Sequence, residues 1–225
     1  MSLPAKSKNR LLAALPLKTY LLLEPKFESF ELNYSEVIYQ PGDTMGYAYF
    51  PESGIVSLLS AVGVNSTLEV GIVGREGMIG LPLYLGDQIS DTKALVQGSG
   101  VATRIKAADL LAECSRSDEL PKILRLFTLS LMNQISQSAA CNRYHSAEAR
   151  LARWLLMTHD RMESNEFRIT QDFLSNMLGV RREAVSRAAT TLQARQIITY
   201  ARGHLSVQDR QKLESISCGC YTRLL

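Results

Sequence analysis

The 225-residue chain predicts an α+β fold in three parts: an N-terminal antiparallel β-roll (a double-stranded β-helix), one long helix, and a C-terminal winged helix-turn-helix. Three observations lead there. Short apolar segments separated by Gly, Pro, Asn and Asp fill residues 27–106, the texture of many brief strands. Apolar residues at three- and four-residue steps fill 120–140, the texture of a helix. Two amphipathic runs then meet at Gly179, and an alternating hairpin pattern follows them. The parts are expected at 1–118, 119–142 and 143–225.

In chain order, Met1 to Lys8 reads as a loose tail, and Asn9 to Leu23 as two short helices broken at Pro16. The segments FESFEL, VIYQ, AYFPESGIVSLLSA, STLEVGIV, TKALVQG and VATRI supply about eight short strands, enough for an antiparallel sandwich or barrel. Ala108 to Cys114 is a short helical piece. From Leu120 to Ala140 the long helix places Leu120, Leu124, Phe127 and Leu131 on one stripe, with Ile123, Leu126, Leu129, Met132 and Ile135 on adjoining faces. A helix this apolar around its girth must be covered on more than one side. The β-roll and a second copy of the chain can each cover one, and complete burial within a single subunit is the alternative. Ser146 to Glu163 is a further amphipathic helix, with Ser146 as its cap and Leu151, Trp154, Leu155 and Met157 as its stripe.

The stretch from Arg168 to Val207 carries the chemistry. Thr170 is a helix-capping residue, with Asp172 near the positive end of the helix dipole. Leu174, Met177 and Leu178 form the apolar side of that first helix. Gly179 suits a sharp turn, because a residue without Cβ tolerates positive φ. The second helix is expected to bury Val180, Val185, Ala188 and Leu192, which leaves Arg181, Arg182, Glu183, Ser186 and Arg187 outside near its start. Arginine can donate twice to guanine O6 and N7, and glutamate can accept from cytosine N4, so Arg182, Glu183, Ser186 and Arg187 are candidates for reading base edges. Ile198, Tyr200, Leu205 and Val207 alternate as a wing around an Arg202-Gly203 turn, and Asp209 caps a closing helix. Thr170, Gln171, Arg181, Arg202 and His204 are candidates for phosphate.

At these residues a resemblance becomes specific. ITQDFLSNMLGVRREAVSR resembles the helix-turn-helix of the Crp/Fnr family of bacterial transcription regulators. That resemblance implies that Arg182, Glu183 and Arg187 read bases and that Gly179 is the turn residue. Arg181 departs from the family, standing where a small hydroxyl residue usually caps the second helix. QPGDTMGYAYFPESGIVSLL resembles the start of the family's cyclic-nucleotide-binding β-roll, with Pro41, Gly42, Gly46, Tyr49, Phe50, Gly54 and Val56 at its turn and core positions. The pocket cassette does not follow suit. Aligning GMIGLPLYLG with it puts Leu81 on the glutamate that holds the ribose and Asp91 or Thr92 on the arginine that grips the cyclic phosphate. Lys93 is one residue off on an alternating strand. A buried phosphate without a charge partner is costly, so no cyclic nucleotide is expected. Ile79, Gly80, Leu81, Thr92 and Lys93 are instead the candidate lining for an unknown small-molecule effector, or for a closed, apolar site. The resemblance further implies a homodimer through Leu120, Leu124, Phe127 and Leu131, with double-stranded DNA and RNA polymerase as partners.

Charge agrees with this division. Residues 1–142 carry 12 Lys/Arg against 14 Asp/Glu, and residues 143–225 carry 13 against 8. A basic C-terminal part suits a polyanion. The cysteines are Cys114, Cys141, Cys218 and Cys220, in no recognised zinc spacing, and they are expected to be reduced, idle thiols. The family's iron–sulfur branch holds its cluster mostly through N-terminal cysteines. None precedes Cys114 here, so neither a cluster nor any other metal or cofactor is expected. The three histidines, His145, His159 and His204, all follow the β-rich part, which leaves a cupin-like metalloenzyme without imidazole ligands on its barrel. No phosphate-binding loop or nucleophile elbow is present. An enzyme is therefore not expected, although a β-barrel enzyme and an interaction protein that does not bind DNA stand as the competing readings. The run Leu21-Leu22-Leu23 stops at Glu24 and Pro25, with no signal peptide and no run of membrane length, so a soluble, cytoplasmic protein without a membrane partner is expected.

Overall fold

A computed structural model describes residues 6–63, 67–162 and 164–224. Met1 to Ala5 of the expected tail, Ser66 of an expected strand and Glu163 of an expected helix lie outside them. The chain divides into two compact units: Met1–Leu58 with Ile72–Met132, and Leu59–Gly71 with Asn133–Leu225.

The first unit opens with α1 (Arg10–Ala14) and α2 (Leu17–Leu23), divided at Pro16. Asn9 explains why α1 begins where it does. Its side-chain oxygen accepts from the Leu11 and Leu12 amides at 3.0 and 3.3 Å, capping α1. Its amide nitrogen donates to the Pro51 and Gly77 carbonyls, both at 2.9 Å, so one buried side chain joins three segments. The strands follow: β1 (Glu28–Leu32), β2 (Val37–Tyr39), β3 (Tyr47–Pro51), β4 (Ile55–Ala61) and β5 (Thr67–Val73). After α3 (Leu81–Leu85) come β6 (Lys93–Gly98) and β7 (Gly100–Lys106), then α4 (Ala107–Arg116) and α5 (Glu119–Tyr144). One sheet runs β1-β7-β3, with β7 antiparallel to both neighbours, and the other runs β2-β6-β4-β5. The single segment AYFPESGIVSLLSA becomes two strands because the chain turns at Gly54. That residue has φ 80°, and a Cβ there would stand 2.5 Å from the Gly98 carbonyl oxygen.

Phe50, Leu32, Ile79, Leu83 and Ile105 fill the core of this unit together with Leu120, Leu124, Phe127 and Leu131 of α5. This corrects the expected dimer face. Those four side chains are at most 8% exposed and pack within their own subunit, because three- and four-residue steps turn them toward the β-roll. The exposed large hydrophobic residues of α5 are Leu126, Leu129, Met132 and Ile135, at 64%, 56%, 60% and 37%, and Tyr144 at its end, at 79%.

The second unit contains α6 (Ala147–Met162), β8 (Glu166–Arg168), α7 (Gln171–Leu178), α8 (Arg182–Ala194), β9 (Ile198–Ala201), β10 (His204–Val207) and α9 (Arg210–Ile216). Ser146 accepts from the Ala149 amide at 3.3 Å and starts α6, as expected. The wing has a strand that the sequence pattern did not predict: β8 pairs antiparallel with β10, giving a sheet in the order β8-β10-β9. Trp154 and Leu155 of α6, Leu174 of α7, Val185 and Leu192 of α8, and Leu205 and Leu213 are all buried. The tip of the β4–β5 hairpin packs in this unit too, where the buried Trp154 indole donates to Glu69 Oε1 at 2.9 Å. Among the described residues, no helix is long and apolar enough to cross a membrane.

Candidate nucleic-acid interface

The joint between α7 and α8 is built from local chemistry. Thr170 Oγ1 accepts from the Phe173 amide at 3.1 Å and caps α7. Gly179 ends α7 at φ 58°, and its amide donates to the Asn176 carbonyl at 3.3 Å while the Val180 amide reaches Ser175 at 3.1 Å. Cβ at Gly179 would also lie 2.6 Å from Leu68 Cδ1 of the hairpin tip. Two demands therefore fall on one residue, a left-handed backbone and a close neighbour. Behind the turn, a cleft of about 350 Å³ is lined by Val62, Thr67, Leu68, Arg150, Asn176 and Gly179, among others.

α8 starts without a side-chain cap, since Arg181 at that position bonds to no amide of the first turn. Val185, Ala188, Ala189 and Leu192 hold the helix down, while Val180 is only half-buried. Arg182, Glu183 and Arg187 are exposed and Ser186 is half-buried. Residues 182 and 186, and 183 and 187, are one helical turn apart, so these four form two adjoining columns at the start of the helix. Arg182 Nε lies 3.4 Å from Asp172 Oδ1 of α7. An exposed pair of this kind contributes little, about 0–1 kcal/mol.

The phosphate candidates divide. The Thr170 hydroxyl is engaged as a cap, and Gln171 follows it, half-buried, as the first residue of α7. Arg181, Arg202 and His204 are exposed. Arg202 and Gly203 have φ 51° and 80°, the two left-handed residues that a tight two-residue hairpin needs. The Ile169 amide donates to the Gly203 carbonyl at 2.7 Å, tying the wing tip to the entry of α7. Sequence reasoning missed Arg168, an exposed residue paired with His204 across β8 and β10. Its signal was a three-residue alternation too short to read as a strand.

The residues aligned with the effector pocket do not form a comparable constellation. Ile79 and Leu81 are buried in the core at 2% and 7%, and Ile79 pairs with Tyr49 through backbone bonds of 2.8 and 3.0 Å. Gly80 has φ 88°. The Thr92 carbonyl accepts from the Ser90 hydroxyl at 2.8 Å, Lys93 is half-buried at the start of β6, and Asp91 is exposed. The side chains at the phosphate-gripping position thus bring no cation into a buried site.

The cysteines are less scattered than their spacing suggested. Cys141, Cys218 and Cys220 form a buried cluster and His145 stands at its edge, while Cys114 lies elsewhere. Burial pushes the Cys141 thiol up to about 12 and the Cys114 thiol up to about 11, so both carry their proton near neutrality when no metal is bound.

A capped helix, a glycine turn, a second helix with an outward cationic start and a three-stranded wing define a winged helix-turn-helix. Residues 149–216 match the family model of the Crp-like helix-turn-helix domain. Solved structures extend the likeness to 85–93% of the chain. FixK2 from Bradyrhizobium japonicum superposes with a TM-score of 0.72 at 17% identity, covering 86% of this chain and 98% of that one. The c-di-GMP responsive global regulator CLP from Xanthomonas campestris gives 0.68 at 18%, covering 85% and 99%. A chain from Eubacterium rectale assigned to the crp/fnr family of transcriptional regulators gives 0.71 at 16%, covering 93% and 98%. No curated protein sequence matches the chain. Residues 149–216 thus match the Crp-like helix-turn-helix domain, and the chain shares its fold with these structures.

Proposed function

We propose that the chain is a sequence-specific transcription regulator that binds double-stranded DNA as a homodimer, with α8 of each copy in the major groove. The observation that carries this reading is the exposed set Arg182, Glu183 and Arg187 on the first turns of α8, behind a capped α7 and a left-handed Gly179. Base-reading side chains belong at the start of a recognition helix. Arg182 and Arg187 suit guanine edges, Glu183 suits a cytosine amine, and Ser186 stands beside them. Arg181, Arg202 and His204 suit phosphates, whose contacts set register rather than sequence. The exposed Leu126, Leu129 and Met132 of α5, at three-residue steps, support a second copy along that helix. Two reading heads then meet two half-sites about one helical turn apart. Contact with RNA polymerase follows from action as a regulator.

Selection of bound sites from random DNA tests the assignment. The wild type should recover a two-fold symmetric site, and Glu183→Ala should relax choice at one position per half-site by about 1–3 kcal/mol. Unchanged preference at every position would refute the role given to Glu183.

The first unit is the sensor in this reading, and its effector is not a cyclic nucleotide. Leu81 is buried where a ribose-binding carboxylate would be needed, and Asp91 and Thr92 supply no cation for a phosphate. Millimolar cyclic AMP or cyclic GMP should leave the melting temperature unchanged. A rise that grows with ligand concentration would overturn this part of the reading.

A further inference from the structure

We propose that Cys141, His145, Cys218 and Cys220 form a mononuclear, tetrahedral Cys3His site for a soft divalent metal, with Zn²⁺ as the ion that fits best. Each residue offers one ligand atom, and these atoms all lie within 4.8 Å of one another. Cys141 Sγ and Cys218 Sγ are 3.4 Å apart, and Cys220 Sγ lies 3.6 Å from His145 Nδ1. Zinc bonds of about 2.3 Å to sulfur and 2.0–2.1 Å to nitrogen, at tetrahedral angles, place ligand atoms about 3.8 Å apart for two sulfurs and about 3.6 Å for sulfur and nitrogen. Two of the six edges are thus near their tetrahedral length, and none exceeds 4.8 Å. A disulfide would bring two sulfurs to about 2.05 Å, and this pair is not at that distance. An iron–sulfur cluster distributes its ligands over several irons, whereas four atoms this close surround one ion.

The ligands come from two distant pieces of chain, each shaped for the purpose. Cys141 and His145 are one helical turn apart at the end of α5, where the His145 amide still bonds the Cys141 carbonyl at 3.1 Å. Cys218 and Cys220 lie in the turn after α9, which is closed by the Tyr221 amide on the Cys218 carbonyl at 3.0 Å. Tyr221 anchors that turn independently of any metal, donating to Asp160 Oδ2 at 2.8 Å and accepting from Arg210 at 2.7 Å. The three cysteines are buried and the histidine is exposed, which leaves one edge for an ion to enter.

A second observation points to the same ligand. Arg150 and Arg153 are 7% and 8% exposed, and Arg150 Nε and Arg153 Nη1 are buried without a hydrogen-bond partner. Both guanidinium groups act electrostatically on Cys141. Two buried cations with unfilled donors, beside three cysteines, call for negative charge. Three thiolates, one neutral imidazole and Zn²⁺ sum to a single negative charge, and the thiol protons leave to solvent as the ion binds. Gln137 already donates from Nε2 to Cys220 Sγ at 3.0 Å, the outer contact that orients a ligand sulfur. His145 lies between α5 and α6, so the ion would fasten the turn between those helices to the C-terminal tail.

The test titrates the reduced, full-length, metal-free chain with Co²⁺ alone, then displaces it with Zn²⁺. We expect the intense visible bands of tetrahedral cobalt and a thiolate charge-transfer band, saturating at one ion per chain and abolished by zinc. Cys218→Ser should lose the charge-transfer intensity and tetrahedral saturation, whereas Cys114→Ser should retain both. Gln137→Ala should keep the spectrum and bind about 10–100-fold more weakly. The wild-type and Gln137→Ala titrations decide the matter even if Cys218→Ser does not fold. A weak six-coordinate spectrum in the reduced wild type would overturn the proposal. So would an ion whose binding Cys218→Ser leaves untouched, or a Cys141–Cys218 disulfide in a chain that takes no ion once reduced. None of these outcomes bears on the DNA-reading assignment.

Discussion

Two pairs of arginines in the second unit meet opposite fates. Arg182 and Arg187 sit on the outward columns of α8 in water, and Arg182 is only loosely held by Asp172. Arg150 and Arg153 sit on α6 at 7% and 8% exposure, among carbonyls, a serine and thiols. An exposed guanidinium keeps its hydration and is ready to exchange it for a base edge or a phosphate. A buried one has lost that hydration and must find acceptors within the protein, which Arg150 does at the Leu178 and Asn142 carbonyls. The same side chain is thus a scaffold on α6 and, in the proposed role, a reader on α8, and burial decides which.

The two roles can be separated by experiment. Arg150→Ala leaves the Leu178 carbonyl without its donor and should lower the unfolding free energy by about 1–3 kcal/mol, read from the urea midpoint. Arg187→Ala should change that midpoint by no more than about 0.5 kcal/mol while altering base choice. If both substitutions move stability equally, the contrast between the two helices fails. Gly179 joins α7 to α8, and Gly179→Ala should cost about 1–2 kcal/mol, as is usual for a left-handed residue with a Cβ. The flexible end of Leu68 can yield to the new methyl, so a much larger loss would show that the hairpin tip is held more rigidly than its leucine suggests. The smallest effect concerns Asp209, which caps α9. The Lys212 amide at 2.9 Å and its ammonium group at 3.1 Å hold the Asp209 carboxyl below the usual range. A carboxyl lowered by folding stabilises above its ordinary value of about 3.9 and loses that contribution as pH falls through the folded value. Asp209→Asn should therefore be slightly less stable than wild type near neutrality and equal to it in strong acid. A gap of constant size across that range would remove the ionised cap from the account.

What the sequence made legible was local. Thr170, Gly179 and the stripe from Val185 to Leu192 announce α7, the turn and α8 because the cap, the turn bonds and the helical spacing are set within a few residues. The β-roll was legible as a class, since Gly and Pro punctuate its strands. Contacts between distant segments were not. β8 is three residues long and exists because β10 offers it a partner. The apolar girth of α5 could not say which stripe faces inward, and the structure chose Leu120, Leu124, Phe127 and Leu131 over Leu126, Leu129 and Met132. Cys141 and Cys218 are 77 residues apart, so no spacing rule could have paired them. The expected burial of Val180 was only half met, because it stands in the turn rather than on the helix.

If Arg182 reads a base as proposed, its weak pair with Asp172, worth about 0–1 kcal/mol, sets a small threshold that any contact must exceed. A passing phosphate must compete with a carboxylate already 3.4 Å from the guanidinium, so a contact through charge alone gains less. A guanine offers O6 and N7 together, and two directed bonds can outbid one weak salt link. In that proposed role Asp172 is a tethered competitor, displaced more readily by a two-pronged acceptor than by a single charge.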